Sequence, residues 1–390
     1  MGGRVCSEMG MGVYVNDTGI AYVCGMKNFG SGPDSLGTKR HFELLDGLRG
    51  VAAIAVVIFH FMEIAVPDYE KSFIAHAYLA VDFFFCLSGF VIAYAYDSRI
   101  KDIGVGAFFK LRLIRLHPLV IVGSAIGLLL FVFDPFSDLW RKYSNNIWLL
   151  FGSGCLMVPY PIVKERFLNL FHLNPPTWSL FWEYVANIVY ALVLVRVGKK
   201  LLWALVGVAC GLLFWEGYTA GQLSVGWGGD TFPGGAVRVF FSFLAGMLVY
   251  RLGWIPRTRL GFLGLGALLM VAFLFPYRNT YNWIGDPVIV AFYFPLIVAL
   301  GAGGTVRAGV RRLCQFSGNI SYPLYMVHYP FIWLFMSYVE KYKPSLLEMS
   351  VITAVGTVLL IGLAYVVMIY VDEPIRNILK NRMKRRMARA

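Results

Sequence analysis

The sequence predicts an all-α, polytopic integral membrane protein of about ten transmembrane helices, with both termini cytoplasmic. Three observations carry that prediction. Of the 390 residues, 58% are hydrophobic and only 15% charged, with mean hydropathy +0.65, whereas a soluble domain carries about 25% charge. Apolar runs of 16 to 22 residues recur along the chain, the length that spans a hydrocarbon core as a helix. Lys and Arg concentrate in alternate connections, as the positive-inside rule requires. The alternating apolar–polar segments of a membrane barrel are missing.

In chain order, residues 1–40 are Gly-rich, too weakly hydrophobic to span a bilayer, and without the charged start and apolar core of a signal peptide. They read as a flexible tail, with Met26 a natural start and residues 1–25 a misassigned upstream extension. A membrane domain follows over 41–375, and a basic cytoplasmic tail over 376–390. The apolar runs fall at 44–65, 78–97, 117–133, 177–195, 201–216, 236–250, 260–276, 286–303, 319–338 and 350–371. With the N-terminus inside, the inner connections hold fourteen basic residues in short segments, and the outer ones hold eight. Counting the short, glycine-broken run 146–158 as a span would invert every later loop, so it reads as a re-entrant or interfacial piece of a long outer loop. The net charge of +13 then reports topology and anionic headgroups, which sets nucleic acid aside. Six scattered cysteines with no Cys-x-x-Cys predict neither a disulfide framework nor a metal site.

Within this frame the stretch LLDGLRGVAAIAVVIFHF, Leu44 to Phe61, is the centre of interest. Arg49 and His60 are eleven positions apart, which on a helix is about 16 Å of rise and only about 20° of rotation. Ionisable groups inside a bilayer are costly, face the bundle interior and mark function. A snorkelling arginine and a histidine bonded to a neighbouring helix are the bland alternatives. The topology places His60, Asp82, Glu183 and His328 in one slab in the outer half of the membrane, with Arg49, Arg112, Arg115 and the Asp372–Glu373 pair at the inner end. Each also has a plain structural reading: Asp82 as a helix cap, Glu183 beside an interfacial Trp, Arg112 and Arg115 as inner anchors. His41, His76, His117 and His172 fall at ends or in loops and are assigned nothing. Together the pattern suits one chemistry. Inner arginines would grip a phosphate-bearing donor, an imidazole would take a proton from an attacking hydroxyl near neutral pH, and a carboxylate would orient the imidazole.

The stretches LDGLRGVAAIAVVIFH, VDFFFCLSGF, RLIR, NPPTWSLFWE and SYPLYMVHYP occur in that order over roughly 41–375. Their combination resembles the acyltransferase-3 family of membrane acyltransferases. That resemblance implies O-acylation, usually O-acetylation, of a cell-surface or exported glycan at the bacterial cytoplasmic membrane, with acyl-CoA as co-substrate and no bound cofactor. It also implies site roles: His60 and Arg49 as the essential first-helix pair, Arg112 and Arg115 with acyl-CoA, and Glu183 at the acidic position after Trp-Ser-Leu. Asp82 joins the catalytic set on its depth alone, with His328 and Tyr325 in support. Larger family members append an esterase-like domain that is not recognisable after Pro374, which leaves room for a separate partner to complete the transfer to a glycan or lipid-linked saccharide. The alternatives are acylation of a small molecule such as a macrolide, succinyl transfer to a glucan and, outside enzymes, a proton-coupled transporter, since His–carboxylate clusters at depth also relay protons. No inverted repeat in these positions supports the last.

Overall fold

The computed structural model describes residues 41–387 together with two short strands, Val13–Val15 and Ala21–Val23, which pair antiparallel with Tyr14 opposite Tyr22. The expectations of a flexible tail over 1–40 and a start at Met26 otherwise lie outside the described residues. From Phe42 onward the described fold is helical. The helices used below are α1 (Glu43–Ala65), α2 (Ala80–Tyr96), α3 (Val105–Val132), α4 (Ile147–Leu156), α5 (Thr177–Leu192), α6 (Lys199–Ala220), α7 (Phe232–Leu252), α8 (Phe262–Phe273), α9 (Asn282–Gly303), α10 (Ala308–Val327), α11 (Tyr329–Tyr342), α12 (Leu346–Val367) and α13 (Glu373–Met387).

Seven helices among the described residues are long and apolar enough to cross a membrane: α1, α2 with the turn before it, α3, α6, α7, α9, and α12 running on into α13. The chain is therefore a polytopic all-α membrane protein. The other three predicted runs form helices that are short or polar at one end. α5 has 16 residues and α8 has 12, while the run 319–338 straddles α10 and α11, which meet at His328. A count of ten is thus not established by length and composition. α4 has 10 residues, about 15 Å of helix against about 30 Å of hydrocarbon, too short to cross. It exposes Trp148 and Leu156.

Two sequence boundaries move. α3 starts at Val105, well before the predicted 117, so Lys110, Arg112 and Arg115 stand on a helix rather than in a loop, and Pro118 lies inside it. The segment VGAFFKLRLIRL is rich in good helix formers, which carries the helix back to Gly104. Likewise the basic C-terminal segment continues as α13, joined to α12 through a π-helical turn at Met368–Asp372 that lies just before Pro374.

α1 packs most extensively on α10, and α2 on α7. Small residues permit both. A Cβ on Gly50 would come 2.1 Å from the Ser317 carbonyl oxygen, and one on Gly246 would come 1.8 Å from that of Cys86. Close backbones then let polar side chains bond across: Ser317 Oγ donates to the Gly47 carbonyl at 2.9 Å. This packing fixes α1, and with it His60, against α10 and α11.

Candidate active site

His60 lies on the last turns of α1, partly exposed to a cavity. Its Nδ1 is 2.9 Å from Glu63 Oε2, one turn further along the same helix. An ionised carboxylate only accepts, so Nδ1 carries the proton of the neutral ring and Nε2 keeps its lone pair. Tyr69, in the connection after α1, donates its hydroxyl to Glu63 Oε1 at 2.9 Å. Burial and the adjacent Glu63 hold the Tyr69 phenol far above its ordinary titration range, so it stays a donor. The imidazole packs at 4.6 Å edge-on to Tyr329 and 5.5 Å in a stack on His328. His328 is fully buried, its Nδ1 donates to the Leu324 carbonyl at 3.1 Å, and its Nε2 has no partner among the described residues. Glu63 was not singled out from the sequence, although His-x-x-Glu at helical spacing was there to read.

His60, Glu63 and Tyr69 open onto a cavity of about 480 Å³ whose walls include Trp178, Trp227 and Trp333. Tyr325 lines it too, and its hydroxyl shares a hydrogen bond of 2.7 Å with Ser179. Residues of the outer connections, Pro67 and Phe167 among them, complete the wall.

The predicted carboxylates take other partners. Asp82 does not orient His60: both its oxygens accept from Arg238, at 3.2 Å and 2.6 Å, in a pair with both side chains buried. Arg238 also donates to the carbonyls of Val225 and Tyr78 and lies 5.3 Å over the Trp178 ring. Sequence reasoning passed over Arg238 because it sits in an otherwise apolar run; a lone buried cation there demands a carboxylate partner. Glu183, too, is paired with an arginine rather than with His60. It accepts from Arg112 Nη2 at 2.6 Å and from Ser88 at 3.1 Å, so a predicted outer group and a predicted inner group meet at one depth. The reason is that α3 begins earlier than predicted and carries Arg112 further into the bundle.

Arg49 bonds Ser321 at 2.8 Å and the Gly318 carbonyl at 3.2 Å, with Asp46 at 3.3 Å, and feels the charges of Arg112, Arg115 and Glu183. Arg49, Arg112 and Arg115 are thus within electrostatic reach of one another, but they differ in burial. Arg112 is buried and bound, whereas Arg115 is exposed. His76, assigned nothing from the sequence, is fully buried, with Nδ1 2.9 Å from the Phe275 carbonyl and Nε2 3.4 Å from Asp286, which also accepts from Tyr78 at 2.6 Å. Among the described residues no group of three or more His, Cys, Asp or Glu side chains is placed to hold a metal ion.

The structure is a polytopic helical bundle with a histidine–carboxylate pair on the wall of a cavity, the architecture of an integral membrane protein with a candidate active site. The chain belongs to the acyltransferase-3 family, whose acyltransferase domain matches residues 42–371. It is an acyltransferase. Its relatives include protein 2 in the picA locus of Rhizobium radiobacter, 39% identical over 160 residues, covering 38% of this chain and 81% of that one. The acyltransferase MdmB of Streptomyces mycarofaciens is 28% identical over 43% of this chain and 44% of its own length. The O-acetyltransferase OatA of Staphylococcus aureus is 23% identical over 87% of this chain and 58% of its own length. The chain thus spans about half the length of the last two. No solved structure matches it.

Proposed function

We propose that this protein moves an acyl group, most simply acetyl, from cytoplasmic acyl-CoA to a hydroxyl of an exported or cell-surface glycan at the bacterial cytoplasmic membrane, with His60 as general base. The single observation that carries this reading is the His60–Glu63–Tyr69 chain on the wall of the cavity. Glu63 takes the orienting role that the sequence offered to Asp82 and Glu183. The acceptor oxygen attacks the thioester carbonyl while its proton passes to His60 Nε2; the acyl–sulfur bond then breaks, and the thiolate leaves with that proton. Glu63, bonded to Nδ1–H, stabilises the transient imidazolium.

Arg49 and Arg115 supply positive charge to the donor phosphates at the inner end, while Arg112 is held by Glu183 and shapes that end. Asp82 holds Arg238 in the wall, and His328 and Tyr325 keep the ring and the cavity in place. The outer residues of the wall favour an acceptor that arrives from the outer side. A relative named as an O-acetyltransferase supports the acetyl group. Release of free CoA from acetyl-CoA by purified protein, dependent on added glycan, tests the reaction. Mass spectrometry of the surface glycans of a deletion strain tests the acceptor. CoA release without an acylated glycan would return the acceptor to a small molecule, and substrate movement without CoA release would favour a transporter.

A further inference from the structure

α12 and α13 run on as one helix of 40 residues, Leu346 to Arg385, and α13 packs against α3, which carries Arg112 and Arg115. Arg376, Lys380 and Lys384 follow one another on α13 at intervals of four, so they share one stripe of the helix. Asp372, one turn before them, is 2% exposed, and its Oδ2 accepts from Arg376 Nη2 at 2.7 Å. Asp372 Oδ1 and Arg376 Nε have no partner among the described residues. Lys380 feels the positive charges of Arg376, Arg115 and Lys384 and the negative charge of Asp372. Asp372 in turn feels Arg115. Four cations from two helices therefore lie within electrostatic reach of one carboxylate.

That carboxylate is already paired, and Glu373, beside Asp372, is the other negative charge at this end. Arg115, Lys380 and Lys384 are exposed and take part in no ion pair among the described residues. Like charges four apart work against a helix, and a multiply charged anion removes that repulsion. A topological anchor needs basic residues anywhere around the helix, and Arg382 and Arg385, off the stripe, serve that purpose. It does not need three of them on the stripe that meets Arg115. Phosphate groups suit such a cluster, since each oxygen accepts from a charged donor. The CoA part of an acyl-CoA carries a diphosphate and, at its far end, a ribose 3′-phosphate. Arg115 is assigned to the donor above, and the stripe continues the positive charge outward from it. All of α13 lies beyond residues 42–371, the part that matches the family.

Resting on the acyl-CoA reading above, we infer that Lys380 and Lys384, with Arg376 and Arg115, form a phosphate site that holds the ribose 3′-phosphate of the donor. The test compares the binding of CoA and of dephospho-CoA, which lacks only that phosphate. It uses calorimetry on the full-length protein in phosphatidylcholine nanodiscs at low salt, where exposed charges are least screened. The wild type is expected to bind CoA about tenfold or more tightly than dephospho-CoA. The double variant Lys380→Gln, Lys384→Gln is expected to bind both with the wild-type affinity for dephospho-CoA. Arg382→Gln, Arg385→Gln removes the same net charge off the stripe and is expected to keep the discrimination. Equal affinity of the wild type for the two ligands would overturn the inference and leave the donor reading standing, whereas binding of neither would overturn both. Equal loss of discrimination in the two double variants would reduce the cluster to diffuse charge and also overturn it. Equal affinities, with phosphatidylglycerol that co-purifies with the wild type but not with Lys380→Gln, Lys384→Gln, would assign the cluster to lipid headgroups instead.

Discussion

His60 and Glu63 sit three residues apart on one helix, so their hydrogen bond is set by local geometry and needs no long-range fold to form. Removing the carboxylate charge while keeping its shape isolates the orienting role. Glu63→Gln should lower kcat by about 10²-fold or more with the donor KM little changed, and Tyr69→Phe, which only loosens Glu63, should cost less. A fully active Glu63→Gln enzyme would remove the carboxylate from the mechanism. The two inner arginines separate at the same scale. Arg112 is buried against Glu183, so Arg112→Gln leaves a carboxylate unpaired and should destabilise the protein by about 3–5 kcal/mol. Exposed Arg115→Gln should fold normally and weaken donor binding about ten- to a hundredfold, the worth of one charge-assisted contact. Thermal unfolding in detergent and donor KM, measured on both variants, check the contrast. The sequence made His60, Arg49 and the arginine pair legible because each is an ionisable group in an apolar or tightly spaced run. It did not reveal that Asp82 belongs to Arg238 or Glu183 to Arg112, because partners 156 and 71 residues apart are chosen by packing.

The outer connection between α3 and α5 closes the cavity and carries its own pH dependence. His172 is 3% exposed, packed 4.7 Å from Phe131 and 5.9 Å from Trp333. Burial, with the nearby charge of Arg166, pushes its titration down to about 3. An unfolded histidine titrates near 6.5, so between those values the unfolded segment binds the extra proton. The stability from His172 is then complete above about pH 6.5 and declines as pH falls toward 3, by about 1.4 kcal/mol per unit. The apparent Tm should therefore be lower at pH 5 than at pH 7, and His172→Phe should remove most of the difference; an equal drop in the variant would place the acid sensitivity elsewhere. Among the membrane helices, α2 and α7 cross where Gly246 meets the Cys86 carbonyl. Gly246→Leu should prevent accumulation of the folded protein, as followed by size-exclusion chromatography. Most helices were legible as apolar runs. The early start of α3 and the break at His328 were not, because a basic amphipathic segment reads as a loop, and proline at 330 marks a boundary only once neighbouring helices fix the bend.

For the whole molecule, orientation decides what the cavity can do. The distribution of basic residues along the sequence predicts Lys199 and Arg257 on the cytoplasmic side and Gln222 outside. Single cysteines at these positions should label accordingly, and labelling of Lys199→Cys from outside would invert the scheme. In the proposed reaction that orientation would place the donor at the cytoplasmic side and the acceptor at the outer side, with His60 as the base between them. Its replacement by glutamine keeps size and hydrogen bonding but removes the basic nitrogen. The most direct test is therefore acyl transfer from acetyl-CoA to glycan in proteoliposomes containing wild-type protein or His60→Gln, at matched insertion and equal thermal stability. Loss of transfer by about 10²-fold or more is the predicted result; transfer by His60→Gln at the wild-type rate would contradict the assignment of the base.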